Sequence, residues 1–187
     1  MSFPILTILA LLPLIGGAIV LGVKGRSGRA TGLVISIVTA VLGVIAFIAA
    51  ANGTDVSENY HWIKAIGAWY ALSSDGLGMT LVLMTAILVP VVLLAEWNIG
   101  EKKPSDGTQT WGANVFSGLA LMTEGLAIYC FTAVDVLFFY LIFEASLVPM
   151  YFLISGWGGE RRRRAAIKFL IYSCLLYTSP SPRDKRQ

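Results

Sequence analysis

Charged side chains are scarce in this sequence of 187 residues: Asp, Glu, Lys and Arg make up 13% of it. An average soluble domain has roughly 25%. Hydrophobic residues reach 56%, which is more apolar surface than a water-soluble fold of this size could hide. The formal net charge is only +3, so we expect no nucleic-acid partner. The composition excludes an ordinary soluble domain and indicates a membrane protein.

Residues that build metal and cofactor sites are also rare. There are two cysteines, Cys130 and Cys174, and one histidine, His61. The cysteines form no C-x-x-C pair, so we expect neither a disulfide framework nor a zinc site. His61 lies in a predicted loop, which argues against a haem. No GxGxxG, Walker or Ser/His/Asp pattern occurs, and we expect no cofactor in this chain.

Long apolar runs fill most of the sequence. A bilayer crossing takes about 20 residues of helix, and five runs are long enough: 3–23, 31–51, 77–97, 112–134 and 135–155. A sixth begins near Ala165. The runs do not alternate with a period of two, which favours helices over a barrel. The sequence therefore predicts an all-α, polytopic transmembrane bundle with five full spans and the start of a sixth.

Lysine and arginine are unevenly distributed among the connections between these spans. The first, third and fifth connections hold most of the basic residues: Lys24, Arg26, Arg29, Lys102, Lys103 and the arginines at 161–164. The second connection has only Lys64, beside Asp55, Glu58 and Asp75. Basic loops stay in the cytoplasm, so we expect the N-terminus to face outward.

The end of the sequence interrupts the sixth span. Pro180 and Pro182 would break a helix that starts at Ala165, and the charges at 183–186 are costly in hydrocarbon. The alternatives are a disordered end or foreign sequence joined to a truncated reading frame, and we favour the second. The sequence thus divides into a membrane part, 1–173, and a non-native or disordered tail, 174–187.

Glu144 lies near the middle of the fifth span. A charge at this depth costs at least ~2.5 kcal/mol, so such a residue usually faces protein or water and has a function. Pro149 removes a backbone donor and can free a carbonyl for water. Burial favours the neutral acid and a nearby cation favours the carboxylate, a balance that suits a proton relay. The alternative is a structural carboxylate bonded to a neighbouring helix.

For three further polar residues the sequence gives weaker evidence of a function. Glu124 lies in the fourth span beside Gly125, which indicates close packing where a neutral, hydrogen-bonded acid is tolerable. Packing and proton transfer both stay open for it. Asp135 is predicted to cap the fifth helix. Lys168, in the sixth span, is predicted to extend toward the cytoplasmic surface.

Three segments carry a family resemblance: SSDGLGM, FTAVDVLFFYLIFEASLVPMYFLISGWGG and AAIKFLIY. They resemble the subunit M family of bacterial NADH:quinone oxidoreductase, a proton-translocating respiratory complex, and the similarity extends to about Ser173. Its most specific part is 135–157. The resemblance implies a chain truncated from an antiporter-like fold of about fourteen helices with broken helices in its repeats.

The resemblance also implies the chemistry. Glu144 matches the family's fifth-helix glutamate, a proton relay that pairs with a lysine on a later helix. Glu124 is a second candidate relay because of its position in the fourth span, not because of the resemblance. NADH, FMN, iron–sulfur clusters and quinone would bind elsewhere in the complex. The implied partners are other membrane subunits and the lipid of the bacterial inner membrane. Because the later helices are missing, we do not expect the polypeptide as written to pump protons.

Two other functions stay open. The chain could be a subunit of a multisubunit sodium/proton antiporter, whose corresponding chain shares the fifth-helix glutamate. It could also be a polytopic scaffold without a transport role, in which Glu124 and Glu144 would be packing features.

Overall fold

The computed structural model describes residues 4–23, 26–54, 56–63, 68–73, 75–97, 111–158 and 161–175. The elements in chain order are α1 Ile5–Gly22, α2 Arg26–Ala51, β1 Glu58–Ile63, β2 Ala68–Leu72, α3 Gly76–Ala95, α4 Ala113–Thr132, α5 Val136–Trp157 and α6 Arg162–Leu175. Helices α1 to α5 have the length and hydropathy to cross a membrane. The predicted transmembrane helical fold is confirmed, and each predicted span coincides with one helix.

Helix α4 lies at the centre of the bundle. In its apolar stretch 56% of the residues are buried, compared with 17% in α5. Helix α1 approaches it closely: a side-chain carbon added at Gly17 would lie 2.6 Å from the carbonyl oxygen of Gly118, and one added at Gly125 would lie 2.6 Å from that of Ala10. Small residues allow such approach in membranes. The close packing predicted from Gly125 is therefore present, while α5 keeps most of its surface open.

A β-hairpin connects α2 and α3. Its antiparallel strands place Tyr60 opposite Tyr70, and the ladder is irregular between His61 and Ile63. We expected a loop here, so the assignment of His61 to a loop is wrong, because it lies in β1. Aromatic and β-branched residues favour extended backbone, and both strands of this segment are rich in aromatic residues.

The hairpin packs over the ends of three helices. The Ser73 amide donates a hydrogen bond to the Thr132 carbonyl at 2.8 Å, and the Val134 amide donates to the Ala71 carbonyl at 3.0 Å. Leu72 of β2 joins the apolar core that contains Leu6 of α1. The start of α1, the hairpin and the α4–α5 connection therefore share one face of the bundle.

Arg29 joins two helices at the opposite face of the bundle. Its Nη1 donates to the Trp97 carbonyl at 2.7 Å, and its guanidinium lies 5.6 Å from the centre of the Trp97 ring. A cation is favourable at a helix C-terminus, and Trp97 lies two residues beyond Ala95, the last residue of α3. The start of α2 and the end of α3 are thus joined, as expected if the odd-numbered connections share a face.

Helix α6 continues through Cys174 and Leu175, two residues past the predicted start of the tail. Pro180, Pro182 and the rest of 176–187 lie outside the described residues. The proposed foreign origin of the tail stays a prediction.

Candidate functional site

Glu144 lies on α5 at the side that meets α6. The Cys174 thiol donates a long hydrogen bond to Glu144 Oε2, with 3.8 Å between sulfur and oxygen. The carboxylate is half-buried, and within the described ranges it forms no ion pair. The lysine partner implied by the family resemblance would lie on a later helix, so that pairing stays a prediction.

The helix around Glu144 is continuous. Pro149 lies inside α5 and is buried, so it removes one hydrogen-bond donor without ending the helix. The rings of Phe139 and Phe143 stack at 6.1 Å on the turn before the carboxylate. Glu144 therefore projects from a rigid, apolar helix, the setting in which an ionisable residue is costly unless it faces protein or water.

Glu124 is far more enclosed. It lies on α4 with 1% of its surface exposed, and neither carboxylate oxygen has a hydrogen-bond partner among the described residues. The close packing expected around it is present, but the expected hydrogen bond is not seen within that part of the chain. Glu124 lies on α4 and Glu144 on α5, and no hydrogen bond joins their carboxyl groups among the described residues.

Glu58 was not singled out by the sequence, yet it is a second fully buried carboxylate. Its Oε1 accepts hydrogen bonds from the backbone amides of Leu6 at 2.8 Å and Thr7 at 3.1 Å. The Thr7 hydroxyl donates to its Oε2. The first amides of a helix have no partners within the helix and carry partial positive charge. Glu58 therefore caps α1 from a strand more than fifty residues away in sequence.

A chain of hydroxyl groups leads from this cap into the bundle. The Thr7 hydroxyl lies 2.7 Å from the Tyr70 hydroxyl, and the Tyr70 hydroxyl lies 3.4 Å from that of Tyr129. Both tyrosine rings make edge contacts with Phe138. No sequence signal links these residues, because each comes from a different element.

Asp135 caps α5 as predicted. Its Oδ1 accepts from the Phe138 amide at 3.0 Å, and its Oδ2 accepts from the Trp69 amide of β2 at 3.3 Å. The hydrogen bond from Phe138, followed by that from Trp69, holds the pKa of Asp135 below its usual range. Asp135 therefore ties the hairpin to the helix that carries Glu144. Lys168 is exposed on α6, and its position relative to a membrane surface stays a prediction.

Comparison with protein families gives a match over residues 133–177. The family is described as NADH:quinone oxidoreductase/Mrp antiporter, transmembrane. This segment contains the Asp135 cap, Glu144 and all of α6. The match therefore falls on the same part of the chain that carried the most specific resemblance in the sequence.

Curated relatives extend the similarity to nearly the whole chain. NADH-quinone oxidoreductase subunit M of Mycobacterium tuberculosis is 34% identical over 92% of this chain and 36% of the relative. NAD(P)H-quinone oxidoreductase chain 4 1 of Synechococcus elongatus is 35% identical over 93% of this chain and 32% of the relative. The chain thus spans about a third of the length of the curated relatives it matches.

The fold is similar to that of a solved structure. A chain of respiratory complex I from Thermus thermophilus with bound NADH matches with a TM-score of 0.75 and 28% identity, over 91% of this chain and 33% of that chain. The sequence similarity and the structural similarity therefore point to the same group of proteins.

Proposed function

The chain resembles the M subunits of NADH-quinone oxidoreductase over 92% of its length, and from this we propose that it is part of a proton-translocating membrane subunit of that enzyme. In this proposal the parent protein couples proton movement to electron transfer from NADH to quinone. It carries no redox centre, since the nucleotide, FMN, iron–sulfur clusters and quinone are held by other parts of the complex.

The observation that carries the proposal is Glu144 in the middle of α5. It is a carboxylate within a long apolar span, on a helix of which only 17% of the spanning window is buried by this chain. A carboxylate facing lipid is costly, so the open surface of α5 favours further protein neighbours. We infer that these neighbours include later helices of the parent and other membrane subunits, and that one of them brings a cation to Glu144.

In such a pair the proton affinity of the carboxyl depends on the distance to the cation. When the cation is close the carboxylate is favoured, and when it moves away burial favours the neutral acid. A change in that distance would make Glu144 release or take up a proton. This is the chemical role that we assign to Glu144.

The proposed location is the bacterial plasma membrane with the N-terminus outside. The basic connections provide the reason, because lysine and arginine are retained on the cytoplasmic side. In this orientation the hairpin and the Asp135 cap face outward, and the Arg29–Trp97 contact faces the cytoplasm.

The test replaces Glu144 in the full-length parent, within its complex. Glu144→Gln keeps shape and hydrogen-bonding capacity but cannot titrate, so we expect normal assembly with a sharp loss of proton pumping and of the coupled quinone reduction. Glu144→Asp should retain part of the activity, because the carboxylate is drawn back by only one methylene. Glu124→Gln should be milder.

Pumping is measured in inside-out vesicles and normalised to assembled complex. Near-normal pumping by Glu144→Gln would make this carboxylate structural and remove the mechanism proposed for it. Loss of assembly in Glu144→Gln, without a transport defect in the complexes that do form, would favour the scaffold function instead.

A sodium/proton antiporter is the second candidate, because the matching family covers Mrp antiporters as well. The full-length parent would then assemble without NADH-oxidising partners and exchange sodium for protons. Co-purification of the tagged parent decides between them: flavin and iron–sulfur absorption in the isolated complex supports the oxidoreductase, and their absence from an intact assembly supports the antiporter.

A further inference from the structure

Glu124 is a buried acid whose surroundings leave it unsatisfied. Its side chain is 1% exposed, and both carboxylate oxygens lack a hydrogen-bond partner among the described residues. An unsatisfied buried polar group is destabilising, and an unpaired buried charge is more so. The side chains of the described residues do not satisfy this carboxyl, so we look for another partner.

A further helix or subunit cannot supply the missing partner simply by docking. Glu124 is already enclosed within this chain, on the central helix α4. Glycines bring α1 into direct contact with α4 at Gly118 and Gly125. Helix α2 also packs against α4, because a side-chain carbon added at Gly32 would lie 3.1 Å from Ser117 Cβ. The missing partner is therefore expected to be small, such as a proton or a water molecule.

Among the described side chains of the helices that pack against α4, the one cation is Arg29. Helices α1 and α3 have no charged residue along their lengths. The charged residues of α2 are Arg26 and Arg29 at its start, and Arg29 is engaged with the Trp97 carbonyl. Helix α5 contributes only another carboxylate, Glu144. Without a cation, the neutral acid is the favoured form.

The bundle does hold other polar groups. Ser36 and Thr39 of α2 are completely buried, and their hydroxyls donate to the carbonyls of Leu33 and Ile35 in their own helix. Each hydroxyl still has lone pairs that can accept a hydrogen bond. Buried water is stable where several polar groups converge. These hydroxyls are acceptors on α2 that an internal water could use, whereas no group of three or more metal-ligating side chains occurs in the described residues.

We propose that Glu124 is a proton-binding site inside the α1–α4 bundle, whose carboxyl holds its proton and exchanges it through internal water. The alternative is a static packing acid that keeps its proton for as long as the bundle stays folded. The proposal goes beyond the role of Glu144 and does not require it, because it rests only on the burial of Glu124 and on its lack of a hydrogen-bond partner among the described residues.

The test is infrared spectroscopy of the full-length parent in its complex, transferred from H₂O to D₂O. A neutral carboxyl has a C=O stretching band distinct from that of a carboxylate, and deuteration shifts it. We expect a neutral-acid band that disappears in Glu124→Gln and in Glu124→Leu but persists in Glu144→Gln. It should shift with D₂O at least ~10-fold faster than the slowest backbone amides, which report opening of the folded core.

Two outcomes overturn the proposal. A spectrum in which neither Glu124 variant removes a neutral-acid band means that the carboxyl is ionised. A band that shifts only together with the slowest amides means that the acid is static. Glu124→Leu keeps a side chain of similar length and removes the carboxyl. If Glu124→Gln and Glu124→Leu both fail to assemble, Glu124→Asp provides the measurement, because it should move the band and not remove it. None of these readings depends on pumping, so they stand whether or not Glu144 proves to be a relay.

Discussion

Replacing Glu58 by alanine removes the connection between the hairpin and the start of α1. The carboxylate accepts from the Leu6 and Thr7 amides and from the Thr7 hydroxyl. Leu6 is completely buried, so its amide has no access to water once the carboxylate is gone. Thr7 is partly exposed, so its amide and hydroxyl can find new hydrogen-bond partners more easily.

The expected cost follows from these contacts. Leaving a buried donor unsatisfied costs about 1–3 kcal/mol, and hydrogen bonds to a charged group contribute about 1.5–3 kcal/mol. We therefore expect Glu58→Ala to lower the free energy of unfolding by about 3 kcal/mol. Glu58→Gln keeps one acceptor oxygen and loses the charge at the helix N-terminus, which is worth about 0.3–1 kcal/mol, so its cost should be near 1 kcal/mol.

The assay is equilibrium unfolding of the purified full-length parent in mixed detergent and SDS micelles, followed by circular dichroism. Asn59→Ala is the matched control, since Asn59 is the next residue of β1 and is exposed. A loss below about 0.5 kcal/mol for Glu58→Ala, which is typical of surface substitutions, would refute the capping role. An equal loss for Asn59→Ala would assign the effect to the strand and not to the carboxylate.

Two further predictions concern the same face of the bundle. The pKa of Asp135 is lowered by its hydrogen bonds to Phe138 and Trp69, so its contribution to stability is full above the ordinary aspartate pKa and is lost as the pH falls through the lower folded-state pKa. Asp135→Asn should flatten the fall of Tm below about pH 4, and an unchanged slope would contradict this. For the topology, Tyr60→Cys is the suitable labelling position in the full-length parent, because Tyr60 is 53% exposed whereas Glu58 is 2% exposed. An impermeant thiol reagent should reach it from outside, and labelling only from the cytoplasm would reverse the orientation.

The features that sequence predicted well are those fixed by local composition. Each apolar run became a helix because hydrocarbon-length segments must satisfy their own backbone, and Asp135 became a cap because the residue that caps a helix is adjacent to it in sequence. The family resemblance, carried by the segment around Glu144, is confirmed by the relatives at 34% and 35% identity.

The features that sequence missed depend on contacts between distant segments. Glu58 looked like an ordinary loop acid, since nothing near it in sequence indicates the Leu6 amide that it binds. The hairpin was taken for a loop because each of its strands is short and the second connection reads as polar and aromatic without a clear alternation. Glu124 was placed correctly in the fourth span, but its burial and its lack of a hydrogen-bond partner among the described residues depend on how other helices pack against α4.

The glycine contact between α1 and α4 has a consequence for synthesis on the ribosome. Gly17 and Gly118 touch, yet at about 5–20 residues per second the second glycine is made roughly 5–20 s after the first. During that interval α1 lies in the membrane without its main neighbour. The hairpin is made in between, and Glu58 can engage the Leu6 amide as soon as it emerges. The Glu58 cap at the start of α1 is therefore available to hold the first helix in position until α4 is made.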